Sequence, residues 1–372
     1  MPGDASRPLT IGIDARAAAE VPAGRGRVVR ELLRSLAAGH SPHRYVLYAR
    51  RPWDEVTLDE RFRWSLIPSK DPWWHAQAAH RANGECDVFL SSNSYLTVWF
   101  LRIPAVPIVY DMVTFEPSMR PNRRSTVIER ATLGPALRRA AAVLAISEAT
   151  ADALIEQFPR ARAKTTVAPL GVTHTEAPTE AELAELPAPG FVLAVGTLEP
   201  RKNLPRLVEA YRRLPTELQD RHPLVVVGAL GWETGETLAA LRSLGSRAIL
   251  LGYVSDEALT ELYRRCSVFC YPSLGEGFGL PVLEAMAAGA AVITSNISSL
   301  PEVGGEAVEY IEPRDAGAIA ASLESLLRSP ERRAELGLLG RERAGLFTWE
   351  RTTELTLQTL ERAAAGRGGN GG

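Results

Sequence analysis

Short apolar runs alternate along the whole chain with longer segments whose apolar residues recur at helical spacing. The runs that read as strands in the first half are Leu9–Ile13, Tyr45–Tyr48, Asp87–Leu90, Val106–Tyr110 and Ala142–Ile146. In the second half they are Phe191–Val195, Leu224–Val227, Ala248–Leu251, Ser267–Tyr271 and Ala291–Thr294. Most are rich in Val, Ile and Leu without alternation, the pattern of strands buried on both faces of a parallel sheet. Arg27–Ala38, Asn203–Leu214, Asp256–Arg265 and Asp315–Leu327 read as the amphipathic helices between them. Repeated βα units of this kind predict doubly wound α/β sheets. The rhythm breaks once, over Thr173–Gly190, a stretch rich in Pro, Thr and Glu. Two Rossmann-like domains facing a cleft are therefore expected, 1–180 and 181–348. A helix over 349–365 and a Gly-rich tail over 366–372 complete the chain.

Composition narrows the function classes. A length of 372 residues suits about two domains. With 42 basic against 44 acidic residues the net charge is −2, too little to draw the chain to nucleic acid. Cys86, Cys266 and Cys270 supply neither a disulfide framework nor a four-thiolate zinc site. The six histidines form no HExxH pair. The first residues, MPGDASRPLTIGI, lack the pattern of a signal peptide. The most apolar stretch, Tyr95–Tyr110, carries Arg102, Pro104 and Pro107 and is too short to span a bilayer. A cytoplasmic protein is expected. Lys70, Lys164 and Lys202 are the chain's lysines, so a lysine in a strand-end loop carries more information than usual.

Ligands of doubly wound sheets bind beyond the carboxyl ends of strands, and two loops there stand out. Tyr271–Gly289 runs from a strand end through Gly275-Glu276-Gly277-Phe278-Gly279 into a helix with Pro281 in its first turn. Glycines allow close approach of a ligand, and the helix start offers N–H groups to a phosphate. Glu276 and Glu284 could each accept hydrogen bonds from the adjacent hydroxyls of a sugar or ribose; an ordinary strand–turn–helix with Glu284 solvated is the plainer reading. In Val195–Leu204, Arg201 and Lys202 precede a helix with Asn203 as expected N-cap, a natural diphosphate site or else a solvated basic turn. Gly24-Arg25-Gly26-Arg27 lacks the third glycine of a dinucleotide fingerprint but could close over phosphate. Tyr110-Asp111 ends a strand, a place more often structural than catalytic. Ser147-Glu148-Ala149-Thr150 reads as a helix cap. Arg120–Arg139 is a basic helix broken near Gly134-Pro135, either a solvated face or a peripheral contact with the inner face of a membrane. Trp73, Trp74, His75 and His80 could line an acceptor groove, with core packing as the safer reading.

Taken in order, several segments resemble the family-four retaining glycosyltransferases of GT-B fold. They are IGIDARA (Ile11–Ala17), GRGRV (Gly24–Val28), YDM (Tyr110–Met112), AISEAT (Ala145–Thr150), APLGV (Ala168–Val172) and VGTLEPRKN (Val195–Asn203). VVVGALGW (Val225–Trp232), LGYVSDEAL (Leu251–Leu259), GEGFGLPVLEAMAAG (Gly275–Gly289) and SSLPEVGG (Ser298–Gly305) follow. The resemblance implies retaining, metal-independent and cofactor-free transfer from a nucleotide-sugar to a glycan, lipid-linked or small-molecule acceptor. It assigns Glu276 to the donor sugar, Glu284 to the ribose, and Lys202 to the phosphates with Arg201 and amides around Gly279 and Leu280. Gly277, Phe278 and Thr197 fall in the same donor loops, Tyr253 and Val254 against the base, and Gly24 and Gly26 near the diphosphate. Tyr110 and Asp111 would act from the N-terminal domain, and the last helix would brace that domain. Two positions depart from the family: Thr197 and Tyr110 stand where many members carry arginine and histidine. The PRKN variant favours GDP-mannose; a UDP-sugar transferase and a catalytically silent nucleotide-sugar binder are the alternatives.

Overall fold

The computed structural model describes residues 7–116, 123–173, 175 and 177–366. The chain forms two compact units. The first holds the chain through Phe115, Arg123–Gly171 and the segment from Thr348; the second holds Val172–Phe347. The first unit's strands are β1 (Thr10–Asp14), β2 (Arg44–Ala49), β3 (Phe62–Leu66), β4 (Val88–Ser91), β5 (Ala105–Val109), β6 (Val143–Ala145) and β7 (Thr165–Val167). They form one parallel sheet in the order β3-β2-β1-β4-β5-β6-β7. The second unit's strands are β8 (Val192–Val195), β9 (Leu224–Val227), β10 (Ala248–Gly252), β11 (Val268–Tyr271), β12 (Val292–Ser295) and β13 (Glu309–Ile311). Their parallel order is β10-β9-β8-β11-β12-β13. In each sheet the winding direction reverses beside the first strand, between β1 and β4 and between β8 and β11. These two reversals are where such folds open a crevice for ligands.

The strands read from apolar runs are present within one or two residues. β3, β7 and β13 escape that reading, and all three lie at sheet edges. An edge strand is covered on fewer sides, so FRWSL, TTV and EYI stay partly exposed and carry polar residues. The second unit's core joins Val192, Leu207, Leu224, Val268, Ile293 and Leu323 from sheet and helices. Ser147 caps helix Glu148–Gln157, its hydroxyl accepting from Thr150 N at 2.9 Å, as its sequence suggests.

Three expectations change. The division between units falls at Gly171/Val172, earlier than residue 180, because the segment after it is tied to the second unit. Val172 N donates to Phe347 O, Thr175 bonds Thr260, and Glu182 accepts from Ser255 Oγ at 2.7 Å. Helix Arg123–Arg139 runs through Pro135 unbroken, with Leu133, Ala136 and Leu137 packed in a core cluster on both sides of it. Burial of that face outweighs the proline's local penalty. Arg120 lies outside the described residues. Trp74 and His75 are core side chains; Trp73 is exposed. Among the described residues no helix is long and apolar enough to cross a membrane.

Gly26 is the third case. It is the second residue of helix Arg25–Ala38 rather than part of the loop before it, and a Cβ there would lie 1.7 Å from the Val21 carbonyl oxygen. Replacing it by alanine should lower stability by about 1–3 kcal/mol, since backbone must shift to admit the methyl. Thermal or urea unfolding checks this; a G26A variant as stable as the parent would show that the close approach has slack.

Candidate active site

The switch point of the second sheet organises the residues singled out there. After β8 the chain turns through Gly196, at φ 140°, into a 3₁₀ turn over Pro200–Lys202. After β11 it runs through Pro272–Gly279 into helix Leu280–Ala288. Leu274 N donates to Arg201 O at 2.9 Å, and Asn203 Nδ2 donates to the Pro272 and Pro313 carbonyls at 3.0 and 2.7 Å. Asn203 holds the N-cap position expected of it, from a left-handed backbone at φ 58°, but its side chain stitches loops together instead of bonding the first N–H groups of the helix. Gly228 belongs to the same close packing, for a Cβ there would meet Gly196 O at 2.1 Å.

These loops bring Arg201, Lys202 and Glu276 into contact. Glu276 Oε1 accepts from Lys202 Nζ at 2.7 Å, Tyr271 Oη at 2.8 Å and Ser273 Oγ at 2.5 Å, while Oε2 accepts from Arg201 Nη1. Lys202 Nζ also donates to Tyr271 Oη at 2.5 Å, and Arg201 Nη2 to Glu199 Oε1 at 2.5 Å. Arg201 donates further to Gly275 O. The side chains of Glu276, Glu199 and Lys202 are 9%, 6% and 10% exposed, so the cluster is nearly dry. Burial opposes the charged form of Glu276, but the Arg201 and Lys202 charges outweigh it and hold the carboxyl down to about 2. Burial and the neighbouring guanidinium push Lys202 below the ordinary lysine value. Burial and the Glu276 charge raise Tyr271, which stays a neutral donor.

The other expected residues fall around this core or in the first unit. Gly279 takes φ 105° and starts helix Leu280–Ala288; a Cβ there would lie 2.8 Å from Leu300. Phe278 is buried against Phe347, and Thr197 and Tyr253 are exposed. Gly277 is buried and Val254 half-buried. Glu284, half-buried on the helix, accepts from Tyr263 Oη at 3.2 Å, which discounts a fully solvated side chain. In the first unit Gly24, at φ 55°, precedes helix Arg25–Ala38. The Arg25 guanidinium lies 5.2 Å from the ring centroid of Tyr110, whose hydroxyl donates to Ser92 O at 2.7 Å. Asp111 Oδ1 accepts from Val113 N at 3.1 Å. Tyr271, Ser273, Ser298 and Ser299 were not assigned roles from sequence. Tyr271 and Ser273 lie in the strand-end stretch Tyr271–Gly289, and Ser298 and Ser299 in SSLPEVGG, but only the fold shows their hydroxyls converging on the Glu276 loop.

Residues 22–176 match the model for Glycosyltransferase Family 4, and residues 179–343 match that for Glycosyl transferases group 1. An O-antigen chain mannosyltransferase B from Escherichia coli is 36% identical over 285 residues, covering 74% of each chain. This chain is a family 4 glycosyltransferase. A serotype-specific mannosyltransferase WbdA from Escherichia coli is 39% identical over 176 residues, 46% of this chain but 22% of that longer protein. A sucrose-phosphate synthase from Thermosynechococcus elongatus superposes over 97% of this chain and 100% of its own, with TM-score 0.73 and 22% identity, which shows the GT-B fold.

The cluster should make this glycosyltransferase acid-sensitive as Glu276 becomes protonated. The Glu276 carboxyl titrates lower when folded than its ordinary value of about 4.3, so its pairing is fully stabilising above that pH. The stabilisation drains away as pH falls towards 2. Urea midpoints between pH 5 and 2.5 should therefore drop more steeply for the parent than for E276Q; parallel slopes would remove the pairing as a source of stability.

Proposed function

We propose that this glycosyltransferase moves mannose from GDP-mannose to an acceptor hydroxyl, with retention of anomeric configuration and without a metal ion. The observation that carries this reading is the largely buried Arg201–Lys202–Glu276 cluster at the carboxyl ends of β8 and β11, where a doubly wound sheet receives its ligand. The names of the two E. coli relatives, both mannosyltransferases, support the sugar.

In this reading Lys202 and Arg201, with amides at Gly279 and Leu280, take the charge that develops on the departing diphosphate. Glu276 accepts from hydroxyls of the donor sugar, and Glu284 from the ribose. Tyr253 and Val254 lie against the base. The acceptor is assigned to the first unit, where Tyr110 and Asp111 follow β5. The acceptor oxygen bonds the anomeric carbon as the bond from that carbon to the phosphate oxygen breaks. The acceptor's proton passes to the departing phosphate on the same face, so Glu276 need not act as nucleophile. Growing surface polysaccharide, lipid-linked glycan or a small metabolite are the acceptor classes.

GDP-mannose should raise the unfolding midpoint in the presence of EDTA, whereas UDP- and ADP-sugars should not. A shift with UDP-sugars alone would replace the donor, and a shift only with magnesium would overturn metal independence. Once an acceptor is found, K202A should lower kcat by about 10²–10³, and NMR should show the donor's anomeric configuration in the product. Near-parental turnover or an inverted linkage would sink the mechanism.

A further inference from the structure

The donors held by Glu276 are those an anionic phosphate would want. Its two oxygens engage an ammonium, a guanidinium and two hydroxyls, the set that recognises a diphosphate oxygen by charge-assisted hydrogen bonds. Formal charges on Arg201, Lys202, Glu199 and Glu276 cancel, so an arriving diphosphate meets a neutral, satisfied cluster rather than two open cations. The backbone of Glu276 is anchored separately. Its N–H donates to Ser298 Oγ at 3.0 Å and its carbonyl accepts from Ser299 Oγ at 3.0 Å. The carboxylate can therefore turn away by side-chain rotation without moving the loop.

We infer that Glu276 is an internal stand-in for the donor's diphosphate, which must displace it from Lys202 and Arg201 to bind. The inference rests on the proposed donor site and adds how that site tells a nucleotide-sugar from a bare nucleotide. A buried carboxylate stripped of its donors is heavily penalised unless new ones replace them. Sugar hydroxyls are such donors, and a nucleoside diphosphate without sugar lacks them. The conjugate rewards the displaced carboxylate and the bare diphosphate leaves it unpaired. After transfer the same imbalance works in reverse, because Glu276 recaptures the cations and expels the diphosphate product. Arg201 has a second carboxylate partner in Glu199 and so loses one of two, whereas Lys202 exchanges its only paired carboxylate for the diphosphate, with Tyr271 Oη retaining it on one side.

Calorimetric titration of the full chain with GDP, GDP-mannose, UDP and UDP-glucose, in parent, E276Q and E276A, tests this. Both variants should bind the bare diphosphate about tenfold tighter than the parent, with a steeper loss of affinity in salt. Their preference for the conjugate should collapse, and product inhibition should strengthen. Tightening in either folded variant supports the exchange. Unchanged or weaker diphosphate binding in both, with the parent still binding a conjugate, overturns this inference alone. If none of the three proteins binds any of the four nucleotides, the donor reading falls and this one with it.

Discussion

A charged carboxylate survives in a nearly dry pocket only if opposite charge and hydrogen-bond donors surround it, and the second unit is built around meeting that demand for Glu276. The partners come from two loops far apart in the chain. They meet because β8 and β11 are sheet neighbours at the point where the winding reverses. Every device nearby serves that meeting: Asn203 bonding the Pro272 carbonyl, the Leu274 amide on Arg201, and glycine backbones at 196 and 228 close enough to exclude a side chain. Losing one cation would leave charge uncompensated where water scarcely reaches, so geometry and chemistry are coupled at this spot.

The first unit uses its charges differently. Arg16 is buried with Asp14, its Nη2 2.8 Å from the carboxylate, and its guanidinium lies 3.6 Å over the Trp74 ring. Many of the other arginines clamp backbone carbonyls. Arg30 reaches Ala18 and Val21, Arg61 reaches Ala37 and Gly39, and in the second unit Arg343 reaches Glu302 and Val303. The planar fork of guanidinium suits such multiple carbonyl contacts, which gives the arginine-rich composition a structural use. Lysine scarcity drew attention to Lys202, which the structure places in the buried cluster with Glu276, but it is no general rule. Lys164 is equally rare and donates to the Leu137 and Ala140 carbonyls at the end of helix Arg123–Arg139, a cap rather than a ligand contact.

Legibility followed burial for most strands. Strands covered on both faces announced themselves as continuous apolar runs, and so did the edge strand β10, whereas the edges β3, β7 and β13 did not, because solvent relaxes the demand for apolar side chains. The helix through Pro135 and the in-helix position of Gly26 were misread for a related reason: local preference was overruled by contacts with distant chain. Ser147 was read correctly because a cap is a local interaction within one turn.

The sequence by itself determined the alternation of strands and helices, the two-domain α/β class, the family and the identity of the charged residues in two strand-end loops. Those properties depend on composition and on neighbours a few residues away. Only the tertiary structure decided that Glu276 binds both cations at once, that Tyr271 and Ser273 complete its shell, and that the Asn203 side chain, at the helix N-cap, ties loops instead of bonding the helix start. The contacts of Glu276 with the two cations join residues 74 and 75 positions apart, and sheet order, which local sequence does not encode, is what brings them together; the Tyr271 and Ser273 hydroxyls are close in sequence, and the path of the loop aims them.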